Sequence, residues 1–219
     1  MNIGCRYART VINLLAFADD MVILAPSWFT LQTLLSTVEV ETNKINMTFN
    51  TKKTVSMVFI QTNRREVVCA SFPEFTLAGC KLKFVDSFRY LGHIIDNCLC
   101  DDKDIEREIK ALFTGTNMLS RRFKRCSVQV KVRLFKAFCI RFYDAALWQT
   151  SNGVMLKLSS AYNKCTKSFF GSHKFSSVTG MLLSLGLPSF TTLLHNYRVG
   201  FTRRMVNCCN NIVSNLCNA

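Results

Sequence analysis

Acidic residues are scarce in this chain. Asp and Glu number 14 against 28 Lys and Arg in 219 residues, a formal net charge of +14 at pH 7. An imbalance of that size favours a polyanionic partner, with nucleic acid first and an anionic membrane surface second. No Cys-x-x-Cys pair occurs, and His93, His173 and His195 do not stand at zinc-finger spacing from the cysteines, which argues against a structural zinc site. The 11 cysteines are scattered through a chain rich in core material. They read as reduced, mostly buried thiols of an intracellular protein rather than as a disulfide framework. No long apolar run is uninterrupted: the most hydrophobic early stretch, 11–25, is broken by Asp19 and Asp20, which are expensive inside a bilayer. No basic leader followed by an apolar segment is evident either, so neither a membrane span nor a secretory signal is expected. Only 19% of residues are charged while 49% are hydrophobic, which excludes a disordered chain and predicts one or two small domains. Internal repeats and low-complexity tracts are lacking.

What is present is a change of periodicity along the chain. Two β-rich runs, 11–15 and 21–25, flank the polar break at Asp19-Asp20 and predict a tight hairpin of buried strands with the carboxylates at its tip. Leu31, Leu34, Leu35, Val38 and Ile45 recur at helical spacing after Pro26-Ser27, predicting an amphipathic helix. Asn50-Thr51 marks a turn before a strand over 55–59, and a β-prone stretch over 75–94 is punctuated by Gly79 and Gly92. Beyond Asn97 the strand signals fade. Ile105, Ile109, Leu112, Thr116 and Leu119 make an apolar helical face, with Glu106 and Lys110 spaced for an i,i+4 pair. A further helix starts with Ser127 as N-cap and buries Val128, Val132, Phe135, Cys139 and Phe142. Weaker periodicity predicts helices over 156–170 and 193–206, separated by the breaker-rich 180–189. The expected class is α+β: hairpin, helix and strands over 1–96, a helical region over 97–150, and a helical segment of unassigned role over 151–219.

Two adjacent aspartates on an apolar hairpin repel one another, and a divalent cation relieves the conflict. Hard cations such as Mg²⁺ take oxygen ligands and share their shell with substrate phosphates. The alternative is a solvated turn, for which Asp is a common residue. Lys52 and Lys53 are candidates for phosphate contact or simply a solvated turn. Arg121, Arg122, Lys124 and Arg125 make a basic cluster between two helices that either pairs with backbone phosphates or is an exposed connection aiding solubility.

Phe17-Ala18-Asp19-Asp20, followed by Met-Val-Ile-Leu-Ala-Pro-Ser, resembles the aromatic-Ala-Asp-Asp motif of reverse transcriptases in its LINE-like, non-LTR retrotransposon form. Phe49-Asn50-Thr51-Lys52-Lys53-Thr54 resembles the next palm motif, Phe88-Arg89-Tyr90-Leu91-Gly92 the hairpin that grips the primer, and Asp104-Ile105-Glu106-Arg107-Glu108-Ile109 the start of the thumb, which Lys131 to Ala137 and on to Trp148 continue. Four motifs in order carry far more weight than Ala-Asp-Asp alone. The resemblance implies a partial polymerase palm followed by a helical thumb. Asp19 and Asp20 would be ligands of Mg²⁺ or Mn²⁺, Lys53 (with Lys52 as alternative) would approach a dNTP, and Tyr90, Leu91 and Gly92 would position a DNA primer on an RNA template. It implies a nuclear or cytoplasmic location.

The family holds its two metals with three carboxylates, the third on an earlier strand. None of the sixteen residues before Phe17 is acidic. The expectation is therefore a retroelement fragment without fingers, with little or no polymerase activity alone, and an N-terminal hairpin that exposes an apolar edge. A non-catalytic nucleic-acid-binding module and a protein-interaction remnant are the other readings.

Overall fold

The computed structural model describes residues 3–7, 10–60, 72–142 and 144–217, and the chain is mixed α and β: its described strands form only two-stranded sheets, interspersed with and followed by helices. It divides into two compact units, 1–87 with 205–219, and 88–204.

In the first unit β1 (Cys5–Tyr7) pairs antiparallel with β2 (Thr10–Ile12), and β3 (Leu14–Phe17) with β4 (Asp20–Ile23). Helix α1 (Trp28–Lys44) starts where the Ser27 hydroxyl accepts a hydrogen bond from the Thr30 N–H at 3.3 Å, an N-cap that satisfies one of the free amide groups of the first turn. After it come β5 (Val55–Ser56), the hairpin of β6 (Thr76–Leu77) and β7 (Cys80–Lys81), and β8 (Lys83–Phe84), which lies parallel to β5. The core is small: Leu35, Phe75, Leu77 and Leu82 are buried, with Ile23, Trp28 and Leu31 packed against them. Helix and hairpin are also joined by hydrogen bonds. The Gln32 amide donates to the Thr76 carbonyl at 2.9 Å and accepts from the Thr76 N–H at 3.0 Å, acting as a strand neighbour would. At the turn, Ala78 (φ 49°) and Gly79 (φ 71°) take the paired left-handed conformation favoured by two-residue hairpins. Helix α7 (Asn211–Cys217) closes this unit, with the Asn215 amide donating to the Thr10 hydroxyl at 2.7 Å.

Three local expectations change here. The strands of the first hairpin are not buried: every residue of β3 is exposed, because among the described residues no third strand joins the pair. The predicted strand over 55–59 shortens to two residues, matching the two residues of its one neighbour, β8. Ile45 caps the C-terminus of α1 and is exposed rather than buried.

The second unit opens with β9 (Ser87–Tyr90) and β10 (His93–Asp96), followed by α2 (Asp102–Arg122), α3 (Val128–Phe138), α4 (Asn152–Phe170), α5 (Val178–Leu185) and α6 (Phe190–Val206). Its single core runs through α2 to α6, from Ile105 and Leu112 to Leu193 and Leu194. Phe135 has no exposure and touches Phe169 and Phe170 with ring centroids 5.5 and 5.6 Å away. The predicted faces of α2 and α3 hold apart from Val128, which lies in the first turn of α3 and faces solvent. Glu106 pairs with Lys157 of α4 at 3.2 Å rather than with Lys110. Helix α5 occupies part of the stretch predicted as breakers: Ser177 caps its start and Gly186, at φ 59°, its end. Among the nine described cysteines only Cys139 and Cys165 are buried, so the expectation of mostly buried thiols fails; all nine are free. Among the described residues no single helix is long and apolar enough to cross a membrane.

Candidate nucleic-acid and metal sites

Residues 17–20 form the turn of the β3–β4 hairpin. Phe17 pairs with Asp20 across it, leaving Ala18 and Asp19 as the two turn residues. The tip is thus one residue earlier than the sequence suggests. Ala18 takes φ 52°, a left-handed conformation that an alanine adopts at a cost of about 1–2 kcal/mol. Directly opposed residues share a sheet face, so Phe17 and Asp20 project on the same side. Both aspartates are exposed and neither has an ion-pair partner among the described residues. No group of three or more His, Cys, Asp or Glu suited to a metal occurs among the described residues. Two carboxylates are an incomplete set for a hard cation that takes six or more oxygens.

Lys52 and Lys53 lie in a turn organised by Asn50, whose backbone and side-chain oxygens accept from the Lys53 N–H at 3.0 and 3.3 Å. Both lysine side chains reach solvent ahead of β5. This turn and the Asp19-Asp20 hairpin belong to the same unit, and no hydrogen bond or ion pair links them.

Tyr90, Leu91 and Gly92 lie at the turn of the β9–β10 hairpin. Leu91 at φ 47° and Gly92 at φ 97° make its two-residue turn, and the Arg89 Nε donates to the Gly92 carbonyl at 3.3 Å. Immediately after it the hairpin is anchored to α2 by a buried polar network that sequence reasoning missed. Asp104 is fully buried. Its Oδ1 accepts from the Ile94 N–H at 3.1 Å and from Arg107 Nε at 2.8 Å, while Oδ2 accepts from the Trp148 indole at 2.9 Å. His93 Nδ1 lies 3.2 Å from Asp104 and 3.6 Å from Asp144, and Arg107 Nη1 pairs with Glu108 at 2.8 Å. Burial pushes the Asp104 carboxyl up, but the bonds from Trp148, Ile94 and Arg107 and the charge of His93 outweigh it and hold it below its ordinary value. Burial pushes Glu108 up against the pull of Arg107, and it pushes Asp144 up as well. The signal was available: Asp104 and Glu108 fall on the same stripe as Ile105, Leu112, Thr116 and Leu119, and carboxylates on an apolar stripe must find buried donors.

Arg121 and Arg122 occupy the last turn of α2, and Lys124 and Arg125 the connection to α3. All four are exposed and none pairs with a described carboxylate. The two arginines suit the negative end of the helix dipole. Charge is also segregated along the chain. Residues 1–108 hold 12 Lys and Arg and 13 Asp and Glu, so 28 − 12 = 16 basic residues and 14 − 13 = 1 acidic residue follow Glu108. That single acid, Asp144, belongs to the network around His93.

No family model matches the chain, and no curated protein matches it.

Proposed function

We propose that the chain is the palm and thumb part of an RNA-directed DNA polymerase from a LINE-like retrotransposon, inactive in nucleotide addition by itself. The observation that supports this is the order of local structures. The Phe17 to Asp20 motif is a hairpin turn, Lys52 and Lys53 lie in a turn before a strand, Tyr90 to Gly92 is a later hairpin turn, and an all-helical stretch begins at Asp102. In this reading Asp19 and Asp20 bind Mg²⁺ or Mn²⁺ together with a third carboxylate from an upstream palm strand, and the metal supplies charge stabilisation at the reacting phosphate. Lys53 contacts the dNTP, Tyr90, Leu91 and Gly92 hold the primer strand, and Arg121, Arg122, Lys124 and Arg125 contact the RNA template–DNA primer backbone in the nucleus or cytoplasm.

The test is Mg²⁺-dependent primer extension on an RNA template. The chain alone should add no nucleotide, the chain fused to an upstream fingers and palm segment should extend the primer, and Asp19→Asn should abolish extension by the fusion. Extension by the chain alone overturns the reading of a chain inactive by itself, and extension by the fusion that survives Asp19→Asn overturns the role of Asp19 in it. A second reading, a binding module without catalysis, is favoured by the 16-to-1 excess of basic over acidic residues after Glu108. It predicts hybrid binding with no extension by the fusion.

A further inference from the structure

The last stretch of the chain supplies none of the proposed metal, dNTP or primer residues, yet its charge is entirely of one sign. The 219 − 144 = 75 residues after Asp144 contain seven Lys and Arg and no Asp or Glu. Within it, the loop between α4 and α5 presents Phe175, at 83% the most exposed of the large hydrophobic side chains described. A ring left in water at that level is unfavourable for stability, so packing within the unit does not account for it.

The loop that carries the ring is tied down. Gly171 ends α4 in the left-handed conformation. Lys167 then reaches forward from α4, its Nζ donating to the carbonyls of Lys174 and Ser176, each at 2.7 Å. The Ser176 N–H donates to the His173 carbonyl at 3.0 Å, and the Phe175 N–H to His173 Nδ1 at 3.4 Å. The His173 ring lies 5.5 Å from the Phe175 ring, and Lys174 Nζ lies 5.8 Å from its centroid. An exposed aromatic face thus stands beside an ammonium and an imidazole on a bonded loop. Ser172 and Ser176 of the same loop line an open cleft of about 400 Å³, whose lining also includes Val128 of α3, three residues after Arg125 and four after Lys124.

We propose that this loop and cleft bind single-stranded nucleic acid, with Phe175 as a platform on which a base stacks and with Lys174 and the Lys124-Arg125 turn taking the adjoining phosphates. Aromatic faces accept any base, and basic residues beside them track the backbone without reading sequence. A protein partner is the weaker fit because the surrounding charge is of one sign over 75 residues. The inference shares only Lys124 and Arg125 with the polymerase reading: residues 17–92 play no part in it, and a chain whose fusion is inactive in primer extension still tests the Phe175 platform.

The experiment measures fluorescence anisotropy of a labelled 12-nucleotide uridine strand, its deoxythymidine counterpart and an abasic strand of equal length, each titrated with the full chain. Phe175→Ala should weaken binding of one or both base-containing strands by about tenfold, while Phe175→Trp should retain it. The abasic strand should bind wild type and Phe175→Ala alike. Because the ring is exposed, its truncation leaves the fold intact, which thermal melting verifies. Binding by Phe175→Ala within twofold of wild type overturns the proposal. So does equal wild-type affinity for abasic and base-containing strands, or a change confined to self-association in sedimentation.

Discussion

Asp104→Ala should destabilise the second unit by about 3–5 kcal/mol, the range expected when one partner of a buried ionic network is removed. The substitution strands the Trp148 indole and the Ile94 N–H, and leaves Arg107 with only Glu108. It also loosens β10 from α2, and with it the Tyr90 to Gly92 hairpin. Asp104→Asn should lose less, since an amide oxygen still accepts from the indole. Urea unfolding followed by Trp148 fluorescence in a Trp28→Phe background measures both; a loss below about 1 kcal/mol for Asp104→Ala would show that the network is not a buried anchor. Its pH dependence has a definite sign. Asp104 is held below its ordinary value of 3.8, so its contribution is present above that value and is lost as pH falls through the lower, folded-state value. Glu108 and Asp144 are held above 4.5 and 3.8. Their contribution to stability therefore rises as pH falls towards those values, because the folded state takes up protons before the unfolded chain does. Stability should rise slightly on mild acidification and then fall, and Asp104→Asn should flatten the fall.

Phe135→Ala is expected to be comparably damaging, at about 3–5 kcal/mol. Phe135 has no exposure, and its ring lies against Tyr162, Phe169 and Phe170 of α4. Truncation leaves a cavity walled by helix positions that cannot all collapse into it. The flanking Val128→Ala, at a solvent-facing position 58% exposed, should change stability by less than about 0.5 kcal/mol. Denaturant midpoints of the two variants, compared at equal slope, provide the check; equal effects would mean that the α3 register is misplaced.

Much of the helical half was legible in the sequence, because stripe periodicity and serine caps act locally. Ser127 caps α3 where the sequence places it, α1 begins directly after the Pro26-Ser27 turn, and Gly79 and Gly92 sit in the turns their freedom predicts. The failures share a physical origin in long-range context. Periodicity places Val128 on the buried stripe of α3, but a first-turn residue has no neighbour above it. The apolar runs 11–15 and 21–25 look like buried strands, yet burial of a strand depends on partners that residue patterns do not specify. Helix α5 was hidden because Gly180 was read as a breaker; it lies inside the helix, and Gly186 ends it. The Asp19-Asp20 pair and the basic turn at Arg121 to Arg125 were legible as residue types, whereas the acids on the α2 stripe signal only that buried donors are needed, and the partners of Asp104, such as Trp148 44 residues away, are visible only in the fold.

The claim beneath both functional readings and the Phe175 proposal is that nucleic acid is this protein's partner. Anisotropy titration of a labelled RNA–DNA hybrid with the full chain over a series of salt concentrations tests it most directly. Affinity should fall steeply and linearly on logarithmic axes, by roughly 0.7–0.9 per phosphate contact, and replacing Arg121, Arg122, Lys124 and Arg125 by glutamine should make the slope shallower by about 3. An affinity that does not change with salt, or no binding at low salt, would contradict it.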